Sequence, residues 1–339
     1  MFSPTIPYND LPLLPGSYNF HKPEHIQLAL RANQALGKLD GLSLLLPDYT
    51  LLISPLLAKE SVASNAIENI NTTTIEFLQK EATGSKLSGA EKEVAYYRTT
   101  LLQGMSLLEK EGGISTNMLI HLQAIIEPDK TGIRKIPGTV IANSTGEVLY
   151  TPPEGEHKIR DLLANLESWI NSNDGIDSLI KMPVIHYQFE SIHPFYDGNG
   201  RIGRVLMMLY LMLTKKIQKP VLFLSSYILQ HKQEYYLSLK RGEEEHNYDS
   251  IITFLLTGII EQAQVTQEKI IAINACLNKY IGIFQQLKLR DYHLLATTFF
   301  RSAFVSINTL TEISNLSRQS LSLYIKKLED KGVVKTIKV

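Results

Sequence analysis

Residues 193–204 read His-Pro-Phe-Tyr-Asp-Gly-Asn-Gly-Arg-Ile-Gly-Arg and bring a base, a carboxylate, an amide, three glycines and two guanidinium groups into one short run. His193 is the one side chain among them that can take a proton near neutral pH. Asp197 is a natural ligand for Mg²⁺, a cation that prefers one or two carboxylates together with substrate phosphates. Gly198 and Gly200 carry no Cβ, so the backbone can turn tightly and approach a ligand. An apolar stretch from Val205 to Leu213 follows at once, which puts the glycine turn at a helix N-terminus. There, free N–H groups and the positive end of the helix dipole favour an anion. Arg201 and Arg204, three apart, are neighbours on a helix and can grip phosphate oxygens through forked hydrogen bonds. A lone glycine turn before a helix is usually structural. Base, carboxylate, anion nest and paired arginines together point to chemistry on a phosphate.

The elements that must position this run are helical. Apolar spacing predicts helices over 24–36, with Gly37 as the stop, and over 54–69, with Pro55 in the first turn. Further helices are expected at 71–81, 90–111, 116–126, 157–171, 179–191, 201–214, 225–240 and 248–289. Residues 1–22 read as an extended arm. Thr139–Ala142 and Glu147–Tyr150 flank the turn-rich Asn143–Gly146 and predict a β-hairpin. An unpaired edge beside a reactive site can accept a partner segment as an extra strand.

The run 193–204 resembles the motif of the Fic/Doc (fido) family, His-Pro-Phe-x-Asp-Gly-Asn-Gly-Arg-x-x-Arg, at every fixed position. The likeness extends over 20–250 through Ala32–Gly41, Gly132-Ile133-Arg134 and Tyr150-Thr-Pro-Pro153. Where the family often carries Trp-Ile-Gly, this chain has Val140-Ile141-Ala142. The resemblance implies an all-α helical core with a β-hairpin flap and a protein adenylyltransferase, a nucleotidyltransferase that moves AMP from ATP to a hydroxyl side chain of a target protein. It makes His193 the general base and Asp197 the Mg²⁺ ligand. Gly198, Asn199 and Gly200 become the anion cradle, and Arg201 and Arg204 the grips on the β- and γ-phosphates. Ile202 and Gly203 lie within the same nucleotide-binding turn. It also makes Val140, Ile141, Ala142 and Asn143 the flap that docks the target, and sets Tyr235 and Tyr236 beside the adenosine. The rival placement of that pair is one ring in the core and one at the surface.

Ser64-Asn-Ala-Ile-Glu68-Asn69 is similar to the inhibitory Ser/Thr-x-x-x-Glu-Gly/Asn signature of autoregulated members. On helical spacing alone it is an ordinary solvated face. With the resemblance, Glu68 would pair with Arg204, occupy the γ-phosphate grip and join the ATP-site residues. His186, Glu190 and His193 share a spacing that suits a metal. Pro194 ends the helix there, and support of the turn by His186 and Glu190 through hydrogen bonds is the expected role.

Residues 288–339 carry nine Lys and Arg against four acids, a net of +5. Helix, turn at 315–317, second helix from Arg318, Gly332 and a strand-like 333–339 look like a winged helix-turn-helix. DNA, a protein partner or a second copy of the chain are its candidate ligands. The expected division is 1–110 (helical, with the inhibitory helix), 111–252 (catalytic), 253–287 (connecting) and 288–339 (winged helix). Two rivals to AMP transfer are a DNA-binding regulator whose Fic domain senses nucleotide, and AMP removal or another phosphoryl-type transfer at the same site.

Bulk properties fit these expectations. The 339 residues are 44% hydrophobic with formal net charge zero, so no overall field calls for nucleic acid or membrane. The single Cys276 suits a reducing cytoplasm. No secretory signal is legible, and no apolar run approaches the ~20 residues of a membrane span.

Overall fold

The computed structural model describes residues 3–46, 50–142, 145–245, 247–300, 303–314 and 316–337. Five helices lead: α1 (Pro23–Ser43), α2 (Thr50–Ile67), α3 (Thr74–Thr83), α4 (Ala90–Glu111) and α5 (Thr116–Ile126). A two-stranded antiparallel hairpin follows, β1 (Ile141–Ala142) with β2 (Val148–Tyr150). The remaining helices are α6 (Glu156–Ile170), α7 (Ser178–Ile192), α8 (Asn199–Leu213), α9 (Ser225–Gln230), α10 (Lys232–Glu245), α11 (Asp249–Gln286), α12 (Tyr292–Phe300), α13 (Ile307–Ile313) and α14 (Arg318–Asp330). Among the described residues the hairpin is the one sheet and the other elements are helices, and no described helix is long and apolar enough to cross a membrane.

At the centre, α7 and α8 pack on each other with the loop 193–198 between them. Every residue of α7 from Leu179 to Phe189 is buried, as is every residue of α8 from Arg201 to Leu211. Helices apolar on all sides belong in the middle of a core. Around them one continuous core runs from Leu11 of the N-terminal arm to Ile270 of α11. The stripe Ala29, Ala32, Leu36 and Leu39 holds α1 along α11. A capping box between Thr73 and Glu76 starts α3, and the Ser115 side chain caps α5. A second core, with Leu277, Phe284, Leu295, Leu310, Leu321 and Leu328, joins the end of α11 to α12–α14. At 1.5 Å per residue, the 38 residues of α11 extend about 57 Å and reach both cores.

Several expectations change. Helix α1 runs through Gly37 to Ser43, because Leu36 and Leu39 stay buried on the contact with α11 while a Cβ at Gly37 would meet nothing. Helix α2 begins at Thr50, so Pro55 lies inside it. The stretch 225–240 divides at His231 into α9 and α10. Residues 3–22 are not a loose arm: Leu14 exchanges two backbone hydrogen bonds with the Asn165 amide at 2.8 and 3.0 Å. The wing is not formed as a strand among the described residues 331–337. A wing strand needs a neighbouring strand for its backbone groups. Here the Thr336 N–H donates to the Glu329 carboxylate at 3.0 Å, and Val333 and Val334 pack on the second core.

Candidate active site

The loop between α7 and α8 is built by its own side chains. His193 closes α7 in a left-handed conformation (φ 46°, ψ 58°), since Pro194 disfavours the helical region for the residue before it. The Asn199 amide spans the turn, accepting from Phe195 N–H and donating to Phe195 carbonyl, both at 2.9 Å. Both ends of that buried amide are therefore used inside the loop, and Asn199 shapes the cradle without offering its side chain to a ligand. Gly198 sits at φ 83° as the N-cap of α8, a conformation that suits glycine.

His193 is half-buried, and its Nδ1 is buried without a partner, which leaves Nε2 to face a reactant. Burial, then the positive charge of Arg134, lowers its pKa to about 4, so the imidazole is neutral at neutral pH. Asp197 accepts from Gly198 N–H at 2.8 Å and from Lys130 at 3.0 Å. Burial opposes its charge, but Lys130 and the Gly198 N–H outweigh it and hold the carboxyl below the ordinary range. Among the described residues no group of three His, Cys, Asp or Glu could hold a metal. Asp197, part-exposed and anionic beside a helix N-terminus, does fit a Mg²⁺ that arrives with phosphates.

Arg201 and Arg204 diverge although they are three apart. Arg201 is buried and pairs with Glu93 of α4 at 3.0 Å and with Glu127 beyond α5. Arg204 turns to α2: Nε donates to Ser64 Oγ at 2.8 Å, and one Nη donates to Ser64 carbonyl at 3.0 Å and to Glu68 at 2.9 Å. Burial disfavours the Arg204 charge, but the Glu68 carboxylate above all raises its pKa. Glu68 stands one residue past the end of α2, where Asn69 at φ 62° stops the helix. A Cβ at Gly200 would lie 2.5 Å from Glu68 Oε1, so this carboxylate fills the head of the anion nest. The spacing of Ser64 and Glu68 thus brings both onto Arg204.

Other expected residues serve the frame. Ile202 is fully buried core, and Gly203 lets α8 approach Glu190 of α7, where a Cβ would collide. His186 donates to or accepts from Tyr235 at 2.8 Å, and burial lowers its pKa to about 3. Glu190 does not support the turn by a hydrogen bond of its own: its Oε1 is buried without a partner, and burial pushes its carboxyl up to about 8. Tyr235 is in the core and Tyr236 is 42% exposed, the split expected of adjacent helical positions. Only Tyr236 is open to a ligand.

In the hairpin, Ile141 and Ala142 pair with Val148–Tyr150, Val140 lies exposed ahead of the strand, and Asn143 falls outside the described residues. Tyr150 anchors it by donating to Ser191 carbonyl at 2.8 Å. Two residues without an assigned role enter here. Tyr196, the free position of the motif, accepts from Lys135 N–H at 2.8 Å and Ile136 N–H at 3.3 Å. Arg134 is buried and donates to the carbonyls of Ile192, His193 and Pro153. The Gly132-Ile133-Arg134 stretch that carries part of the family resemblance was the available signal for the second.

Residues 26–106 match the Fic/DOC family N-terminal region, and 113–211 match the Fic/DOC family. A probable protein adenylyltransferase of Aquifex aeolicus is 24% identical over 212 residues, 60% of each chain. The protein adenylyltransferase fic-1 of Caenorhabditis briggsae is 33% identical over 139 residues, 40% of this chain and 25% of that one. The chain therefore spans less than two thirds of the length of these relatives. A Fic family protein from Desulfovibrio desulfuricans G20 superposes with a TM-score of 0.62 at 21% identity, covering 86% of this chain and 90% of the other. Fic-1 from C. elegans gives 0.57 at 20% identity, covering 73% and 72%. At these identities the structures share the fold.

Proposed function

Because the chain belongs to the Fic/DOC family, we propose that it is a protein adenylyltransferase whose own Glu68 holds it in check. The observation that carries this reading is a complete motif with a neutral base, closed off by one carboxylate paired to Arg204 at 2.9 Å. A target hydroxyl attacks the α-phosphorus of ATP as its proton passes to His193 Nε2. The bond from the α-phosphorus to the bridging oxygen breaks, and pyrophosphate leaves. The backbone N–H groups at the start of α8 receive phosphate oxygens at the positive end of the helix. Arg204, released from Glu68, takes the γ-phosphate, with Arg201 turning from its carboxylates toward the same chain of phosphates. Asp197 would hold Mg²⁺, which neutralises charge on the phosphates when bound. The exposed edge beside Val140 and Ile141 lines up the target segment by strand addition. ATP and the lone Cys276 suit the cytoplasm.

The test is transfer of label from ATP, with the isotope in the α- or the γ-phosphate, to wild-type and Glu68→Gly protein. Label from the α-position alone, raised in Glu68→Gly by tenfold or more, is expected. Each tenfold corresponds to about 1.4 kcal/mol toward the productive pose. Adding Arg204→Ala should remove most of the gain. Transfer of γ-label, or a Glu68→Gly variant no more active than wild type, overturns the reading.

A further inference from the structure

Arg134 is among the largest side chains that are fully buried, at 1% exposure; among the described residues no carboxylate lies within ion-pair distance of it, and the Glu154 charge acts on it from further off. Its neighbours are carbonyls. Nε donates to His193 O at 2.7 Å, and one Nη donates to Ile192 O at 3.2 Å and to Pro153 O. Its own backbone N–H donates to Pro194 O at 2.9 Å, and the adjacent Ile133 bridges to Phe195. Ile192 and His193 are the end of α7, where carbonyls lack helical donors and the dipole is negative. Helix α7 has no basic residue of its own in the last turn. Arg134, nearly sixty positions away in sequence, supplies that cation. Pro153 lies just after the hairpin, so the same guanidinium also touches the strand's exit.

A histidine in the left-handed region is strained by about 1–2 kcal/mol and persists only where its surroundings fix it. Taking His193 as the base of the reaction proposed above, we propose that Arg134 is its positioning residue: it clamps the carbonyl of the strained His193 and locks the base in register with the hairpin that presents the hydroxyl. Its charge also stands beside the imidazole and opposes protonation, against Asp197 and Glu68, which favour it; from Glu190 only the backbone takes part. Arg134 acts through His193 and touches no reactant.

The experiment compares Arg134→Met and Arg134→Lys, each in the full chain carrying Glu68→Gly, by self-modification from α-labelled ATP. A base displaced by about 1 Å costs on the order of 10²-fold, so Arg134→Met should lose about that factor in kcat with KM for ATP changed less than about threefold. Arg134→Lys should recover part of the rate, because an ammonium can still serve one or two of the carbonyls. Independently of activity, the His193 ring signals of histidine-labelled wild-type protein and of Arg134→Met are titrated by NMR. The His193 midpoint should move upward in the variant while the other histidines stay in place. Should Arg134→Met not fold, Arg134→Lys decides by its rate alone, a kcat loss at constant KM being required, because its retained charge keeps the His193 midpoint near the parent's. A kcat within twofold of the parent, a KM rise that accounts for the loss, or, in Arg134→Met, an unmoved His193 midpoint overturns the proposal. Failure of AMP transfer itself would appear in the Glu68→Gly parent and leave the titration to judge Arg134.

Discussion

The base of the proposed reaction has to be empty of its proton before the substrate arrives, and His193 meets that condition through burial and the charge of Arg134. With a pKa near 4, the neutral form dominates through the whole neutral range, and protonation removes activity only as pH falls toward 4. His193→Ala should lower label transfer in the Glu68→Gly background by about 10²–10⁴-fold, with ATP binding by calorimetry nearly unchanged. Glu190 carries the opposite sign. Its carboxyl keeps a proton in the folded chain up to about pH 8, whereas the unfolded chain loses it near the ordinary 4.5. Between those values the folded state binds more protons, so this group's contribution to stability falls as pH rises. Glutamine does not titrate. The melting temperature of Glu190→Gln relative to wild type should therefore shift in the variant's favour from pH 5 to pH 8, and a difference constant with pH refutes the buried acid. Residue identity within 193–204 was legible because the motif is contiguous. Direction was not: Asn199, Ile202 and Gly203 share the motif with His193, yet one closes the loop and two pack the helix.

Among the elements, α4, α5, α7 and α8 were legible to within two residues, because each couples a strong apolar pattern to a clear cap or break. No wing strand forms within 331–337 because two valines after a glycine only resemble a strand, and a partner strand is needed to make one. The ion-pair partners Glu93, Glu127 and Lys130 lie on other elements, so no local pattern marks them. On the proposed reading, helix α2 is the control element. Its last turn points the Ser64 hydroxyl and carbonyl at Arg204, and the residue beyond its end adds the carboxylate. Ser64→Ala leaves a buried guanidinium N–H without its acceptor, at a cost of about 1–3 kcal/mol. The expected result is a lower melting temperature and self-modification above wild type but below Glu68→Gly. Self-modification at the wild-type level would mean that Glu68 alone holds the arginine.

Across the whole molecule, an aromatic side chain of the C-terminal segment packs on a small cluster that includes α2. Phe304, between α12 and α13, packs on the small cluster of Ala58, Phe77, Leu78 and Val94, with Val62 beside it. Ala58 and Val62 belong to α2, the helix that leads to Glu68. Phe304→Ala should lower the melting temperature and raise self-modification severalfold, without exceeding Glu68→Gly and without adding to it. Self-modification unchanged in Phe304→Ala would show α2 to be braced by the catalytic core alone. The carboxylate at the end of α2 has a consequence for dose. On the proposed reading it is a tethered rival of the γ-phosphate for Arg204, so its effective concentration, of millimolar order for short flexible tethers, is a constant of the folded chain. Dilution cannot relieve it, and abundance cannot swamp it. On that reading each copy is silenced as it folds, and release has to come through a change in its own shape or a partner that binds it.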